Sequence, residues 1–175
     1  MRRVTVPSDP LAVIGSGSST LVKELVEAGY TAIIAVDIAQ APLDQLSESL
    51  GDRATNVTLL RADARTVQLP HSVKLWHDRA TFHFLTDEAD QKAYATTAGL
   101  SVSPGGYLVM AEFAPEGPTS CSGLPVARHS VASLQLLFGD DFELTESFEQ
   151  DHITPSGAVQ RFLHAVMIRR SPQLP

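Results

Sequence analysis

A four-residue apolar run that stops on a glycine turn constrains this chain more than any other feature. Leu11-Ala12-Val13-Ile14 has the length and composition of a buried strand, and Gly15-Ser16-Gly17 follows, where residues without bulk permit a tight turn. Leu21, Val22, Leu25 and Val26 then recur at three- and four-residue spacing with Lys23, Glu24 and Glu27 between them, which predicts an amphipathic helix ending at Gly29. A second apolar run, Thr31 to Val36, closes at Asp37. Strand, glycine turn, helix and strand in this order specify parallel strands joined by a right-handed crossover, so the fold class is α/β.

Such a turn is suited to a ligand. Gly15 and Gly17 let backbone N–H groups approach it closely, and an acid at the end of the second strand can accept hydrogen bonds from ribose hydroxyls. Asp37 stands about twenty residues beyond the glycines, the separation that this role requires. The residues therefore point to a nucleoside-bearing cofactor. Thr20 occupies the place of the third glycine in G-x-G-x-x-G, which weakens a dinucleotide reading.

The rest of the chain continues the alternation. Residues 1–10 read as an extended lead-in and 171–175 as a tail, with one domain over 1–175. Pro42 opens a helix whose Leu43, Leu46 and Leu50 face the sheet. Val57 to Leu60 is the third strand, closing at Asp63, and Val73 to Trp76 a shorter fourth that runs into His77-Asp78-Arg79. Thr86 is the expected N-cap of a helix reaching about Val102, with Asp87 and Glu88 in its first turn. Pro104-Gly105-Gly106 turns the chain into a fifth strand, Tyr107 to Phe113, and Ala114 to Arg128 is a long loop. Ser130 caps a helix that carries Val131, Leu134 and Leu137 and stops at Gly139.

Phe142 to Glu149 and Arg161 to Arg169 are the last two strands, and the loop between them is too short for a crossover helix, so they pair antiparallel. The first alternates apolar and polar residues, as an edge strand does. The second is apolar at nearly every position from Phe162 to Ile168, which predicts an inner strand covered on both faces.

Composition removes several function classes. No apolar run approaches the roughly twenty residues of a membrane span, and Met1-Arg2-Arg3 is followed by no signal-peptide core, so a cytoplasmic protein is expected. The net charge is −7 with no basic stripe, which disfavours nucleic acid as a partner. One cysteine, Cys121, and scattered histidines leave no metal-ligand pattern. His83, between Phe82 and Phe84, reads first as a packed structural histidine. Asp78 and Arg79 read equally as an internal ion pair or a functional pair.

A seven-stranded sheet with a terminal antiparallel hairpin, the Gly-x-Gly turn, acids after strands two and three and Pro-Gly-Gly before strand five resembles the class I S-adenosylmethionine-dependent methyltransferases. Three stretches resemble one small bacterial subgroup of them: Leu75-Trp76-His77-Asp78-Arg79-Ala80-Thr81-Phe82-His83-Phe84-Leu85-Thr86-Asp87, Ala111-Glu112-Phe113-Ala114-Pro115-Glu116-Gly117-Pro118 and Cys121-Ser122-Gly123-Leu124-Pro125-Val126. The resemblance implies a Rossmann-like, mostly parallel sheet with helices on both faces. It implies S-adenosyl-L-methionine as cofactor, with Gly15, Ser16 and Gly17 at its methionine part, Asp37 and Ile38 at the ribose, and Asp63 and Ala64 at the adenine edge. His77 would border the sulfonium and the substrate.

His77 and His83 are the candidate general bases, and Arg79, Glu112, Cys121 and Arg128 the candidate substrate contacts. The expected reaction is methyl transfer to a small molecule. The alternatives are a non-catalytic member that binds cofactor or a partner, and an NAD-dependent oxidoreductase. Val13 stands where the family usually has an acid, and only ten residues precede the first strand, where the family usually has lid helices. A second copy of the chain, as a homodimer, is the expected cover for the open site.

Overall fold

The computed structural model describes residues 4–17 and 20–171. The N-terminal expectation for residues 1–3 and the tail expectation for 172–175 fall outside the described residues. Residues 4–10 form no helix or strand; a turn closes between Asp9 N–H and Val6 O, and Thr5 meets the Tyr30 hydroxyl.

Seven strands make one sheet: β1 (Leu11–Ile14), β2 (Ile33–Asp37), β3 (Val57–Arg61), β4 (Val73–Arg79), β5 (Val102–Phe113), and the later β8 (Phe142–Ile153) and β9 (Val159–Arg169). The order across the sheet is β3-β2-β1-β4-β5-β9-β8. Neighbours up to β5 are parallel, while β9 runs antiparallel to both β5 and β8. This is the Rossmann-like architecture that the resemblance implies, with the chain reversal between β1 and β4 where open α/β sheets place their ligands.

Helices α1 (Thr20–Glu27) and α2 (Gln40–Leu50) cover β1 to β3 on one face. Val22 and Val26 of α1 and Leu46 and Leu50 of α2 join Leu11, Val13, Ile33 and Ala35 in one core. The opposite face carries α3 (Glu88–Ser101) and α4 (Val131–Phe138), whose Tyr94, Ala98, Leu134 and Phe138 pack on Ala12, Ile14, Trp76, Leu108, Leu163 and Ala165. The alternation along β1 assigns these sides. Leu11 and Val13 point one way and Ala12 and Ile14 the other, because successive strand residues face opposite sides. Among the described residues no helix is long and apolar enough to cross a membrane.

Several boundaries differ from the sequence expectation, each for a local reason. β4 continues through His77, Asp78 and Arg79, because its register with β1 pairs Val13 with His77 and Ile14 with Asp78 and gives these polar residues ladder partners. Asp87, and not Thr86, caps α3, accepting from Ala89 N–H. β5 begins at Val102, so Pro104-Gly105-Gly106 is an irregularity within the strand. The loop from Ala114 to Arg128 holds a small hairpin of its own, β6 (Ser120–Cys121) and β7 (Leu124–Pro125).

The expectation for β9 was half right. It lies inside the sheet, and Leu163, Ala165 and Met167 are buried against α3 and α4. Its other face, His164, Val166 and Ile168, is only half-buried, and Phe148 of β8 lies flat on the His164 ring at 4.6 Å. An apolar run registers that a face is sheltered without saying whether a helix or a cross-strand ring shelters it.

Candidate functional site

Two cavities open at the carboxyl ends of the parallel strands. The first, of about 430 Å³, is lined by Ile14, Gly15, Asp37, Ile38, Ala62, Asp63, Ala64, Thr81, Phe84, Leu85, Tyr94 and Leu124 among others. The second, of about 540 Å³, is lined by Val13, Glu24, His77, Arg79, Phe113, Cys121, His152, Gln160 and Phe162 among others. Ile14, Gly15 and Ala80 belong to both walls, so the glycine turn is the sill between them.

The turn is built by close approach. Gly15 has φ +58°, and a Cβ there would lie 1.8 Å from Thr81 Oγ1, so no other residue fits without displacing the segment after β4. Gly17, at φ +50°, donates its N–H to Asp37 Oδ2 at 2.8 Å, and Ala39 N–H donates to Oδ1 at 2.9 Å. Asp37 is thus held in place by two backbone donors while its carboxylate faces the first cavity. Each oxygen keeps lone-pair capacity for a further donor. Ile38 beside it is 68% exposed, an apolar side chain left on the cavity rim. Ser16 is buried, and its Oγ has no partner.

Asp63 lines the same cavity, but its carboxylate is engaged by Arg65, whose Nε and Nη2 reach it at 3.0 and 2.5 Å and whose N–H adds a third bond. That guanidinium holds the Asp63 carboxyl below its usual range, and Arg65 also pairs with Asp90 at 2.7 Å. Asp63 therefore shapes the wall as an ion pair rather than as a free acceptor.

Beyond the sill, His77 lies on β4 with its Nδ1 buried and unpartnered. Burial first, then the positive charge of Arg79, lowers its pKa to about 4, so the ring is neutral at pH 7. Arg79 does not pair with Asp78. Its guanidinium lies 5.8 Å from the Phe162 ring centre. Asp78 turns to the other face, accepting from Thr81 N–H at 3.0 Å and from the Tyr94 hydroxyl at 2.5 Å, and Tyr94 in turn accepts from Trp76 Nε1 at 2.8 Å. Asp78 is thus the clamp for the turn that carries Ala80 and Thr81 against Gly15. Ala80 itself sits at φ +61°, a conformation costly for a residue with a Cβ.

The remaining sequence candidates separate. Cys121 lines the second cavity from the β6–β7 hairpin. His83 and Glu112 line neither cavity. Both are fully buried, His83 packed between Phe84 and Phe113 with its Nδ1 3.5 Å from Glu112 Oε2, and burial lowers its pKa to about 4. Glu112 lies beside Asp78, and burial together with the Asp78 charge drives its carboxyl well above the usual range. Arg128 donates to Pro115 O and lines neither cavity. Sequence reasoning missed Tyr94, Leu124, His152 and Phe162. Tyr94 stands at a core position of α3, and the other three come from segments far along the chain with no local pattern of a site.

Comparison with known proteins agrees with this fold. A mouse eEF1A lysine and N-terminal methyltransferase is 29% identical over 90 residues, 51% of this chain and 12% of that protein. The human counterpart is 30% identical over 87 residues, so the chain spans about an eighth of the length of these relatives. A solved S-adenosylmethionine-dependent methyltransferase from Methanosarcina mazei superposes with a TM-score of 0.80 at 16% identity, covering 95% of each chain. The Burkholderia thailandensis 1,6-didemethyltoxoflavin-N1-methyltransferase, solved with its substrate and S-adenosylhomocysteine, superposes with a TM-score of 0.76 at 14% identity over 94% of this chain and 72% of that one. The profile of the methyltransferase domain matches residues 12–106, more than half the sequence and the whole span from β1 into β5, and the chain belongs to the class I S-adenosylmethionine-dependent methyltransferase family.

Proposed function

We propose that this chain transfers a methyl group from S-adenosylmethionine to a small-molecule acceptor, with the adenosine in the 430 Å³ cavity and the acceptor in the 540 Å³ one. The observation that carries the reading is Asp37. Its carboxylate stands at the end of β2, fixed by Gly17 and Ala39, and faces an otherwise largely apolar slot. That is what a ribose diol beside a purine requires. Ile38 and Ala64 offer apolar contact to the ring, and Gly15 leaves room for the amino-acid end to pass over the sill.

The cofactor supplies a methyl group bonded to positively charged sulfur, and the protein supplies alignment and exclusion of water. Val13 gives an apolar wall where the family usually has an acid, and Glu24 of α1 is the acid that lines the same cavity. In our reading Glu24 takes the cofactor's ammonium. His77, neutral and with a pKa of about 4, is a weak base. It orients an acceptor atom that already holds a free lone pair, rather than drawing off a tightly held proton.

A small acceptor is supported by the size of the second cavity, about 540 Å³, and by the lack of a basic face on a chain of net charge −7. The eEF1A methyltransferases keep a protein acceptor as the competing reading. Calorimetric titration with S-adenosylhomocysteine tests the cofactor site, and micromolar binding is expected. Absence of binding would overturn the reading. Transfer of a labelled methyl group to small-molecule extracts, and none to protein, is the expected companion result.

A further inference from the structure

Among the described residues there are eight arginines, and seven of them meet an acid or a backbone carbonyl: Arg53 with Glu27, Arg61 with Ile38 O, Arg65 with Asp63, Arg128 with Pro115 O, Arg161 with Asp151, Arg169 with Asp141 and Arg170 with Glu143. Arg79 has neither. Its side chain is exposed, with the guanidinium over the face of Phe162 and near the His77 and His164 rings, and it is the sole lysine or arginine that lines the 540 Å³ cavity. It also lines an adjoining recess of about 290 Å³ with Gln150, His152, Phe162 and His164. That recess contains no residue of the glycine turn and is otherwise lined by β8 and β9, so the Arg79 side chain reaches toward those strands from a backbone that β4 sets beside the turn. Glu24 stands on α1, at the end that the sill shares, and forms no ion pair with Arg79. Asp151, the acid of the recess, is taken by Arg161 at 2.8 Å.

Resting on the cofactor reading above, we propose that Arg79 holds a carboxylate of the methyl acceptor, and that the acceptor is a small molecule bearing one carboxylate on a flat, apolar body. A guanidinium presents a planar fork that matches a carboxylate with two parallel hydrogen bonds. A phosphate dianion calls for more than one cation, and the His77 and His164 imidazoles do not add charge. Burial and the nearness of Arg79 lower both the His77 and the His164 pKa values, so these rings are neutral at pH 7 and one positive charge faces the ligand. Phe162, Phe113 and the His152 ring supply flat walls on which an aromatic or conjugated body stacks.

The cofactor's own carboxylate is the other source of such an anion, and the test separates the two. Wild-type protein and Arg79→Gln are loaded with S-adenosylhomocysteine and titrated with 4-hydroxybenzoate and 2-naphthoate, and with the matching amides, by saturation-transfer NMR. The acids are expected to bind wild type at least tenfold more tightly than the amides. Arg79→Gln should erase that preference and leave S-adenosylhomocysteine affinity within twofold, and Arg79→Lys should restore part of it. Equal binding of acid and amide, or binding of neither, overturns the proposal. So does a tenfold loss of S-adenosylhomocysteine affinity in Arg79→Gln, which would give the guanidinium to the cofactor. If wild type binds no S-adenosylhomocysteine, the cofactor reading fails instead, and the preference of the unloaded protein for acid over amide still decides the role of Arg79.

Discussion

The two halves of the strand-end rim are finished to different degrees. On the β1–β2–β3 side the two carboxylates that line the cavity are already held by the protein. Asp37 accepts from Gly17 and Ala39, and Asp63 is held by Arg65. On the β4–β5–β9 side the polar groups lack partners: His77 Nδ1 is unpaired and Arg79 has only a ring face. Partners that come from adjacent backbone preorganise a site for a ligand that does not change, whereas unpaired groups leave contacts for a ligand to complete. The first side is therefore a fixed socket, and the second is where specificity resides.

The largest effect comes with pH, through histidines buried at the second side and in the core behind both cavities. His77, His83 and His129 have folded pKa values of about 4 against 6.5 for the free side chain, each lowered chiefly by burial. The unfolded chain thus binds protons between pH 6.5 and 4 that the folded chain refuses, so stability falls as pH drops through that window. Each histidine contributes up to about 1.4 kcal/mol per pH unit, so three together reach at most about 10 kcal/mol across the window, comparable with a typical fold stability of about 5–15 kcal/mol. Raised carboxyls work in the opposite sense: Glu112, kept protonated by burial, favours the fold more at low pH and softens the slope. Thermal unfolding between pH 7 and 4.5 should show a steep loss of Tm, and His83→Gln with His129→Gln should flatten it. A Tm independent of pH in that range would contradict the buried, neutral state of these rings.

Asp37→Ala comes next and acts on the socket. It removes the ribose acceptor and also the partner of two backbone N–H groups, so S-adenosylhomocysteine affinity should fall by about 2–4 kcal/mol, roughly 30- to 1000-fold. Because Gly17 and Ala39 lose their acceptor, Tm should fall too, and Asp37→Asn should recover more of the stability than of the affinity. Gly15→Ala follows. A left-handed alanine costs about 1–2 kcal/mol, and the contact with Thr81 Oγ1 adds to it, so a combined loss of about 2–4 kcal/mol in denaturant unfolding is expected. Thr81→Ser, which keeps the hydroxyl, should leave that loss largely in place, and Thr81→Ala with Gly15→Ala should relieve part of it.

The same division explains what the amino-acid sequence made legible. The socket is local: its strand, turn, helix and acid lie between Leu11 and Ile38, and spacing alone brings Gly15 and Asp37 to one place. The topology followed from the alternation of elements, and the inner position of β9 from its continuous apolar run. The second cavity is assembled from α1, β4, β5, β8, β9 and the β6–β7 hairpin, so its composition depends on register, which no local pattern encodes. His83 and Glu112 lie in a motif that otherwise contributes to the site. His83 is buried in the turn after β4 by its packing on Phe84 and Phe113, and Glu112 by the reversal of side-chain direction along β5, where Phe113 faces the second cavity. Asp78 shows the same limit, since its choice of Tyr94 over the adjacent Arg79 is a consequence of strand pleat: neighbours along a strand face opposite sides.

The smallest effect is the sharpest check on the contrast between the halves. The Arg79 side chain makes no polar contact with the described residues, so Arg79→Met removes only its position over the Phe162 ring, a contribution of about 0.5–1 kcal/mol at an exposed site. Losing a positive charge also relieves His77, whose lowered pKa owes its second contribution to Arg79, so the His77 titration followed by NMR should move upward toward its free value. A Tm within a few degrees of wild type together with that upward movement would show a guanidinium that the fold does not need. A Tm loss as large as that of Asp37→Ala would instead place Arg79 among the residues that hold the fold, and the second side of the rim would then be as complete in itself as the first.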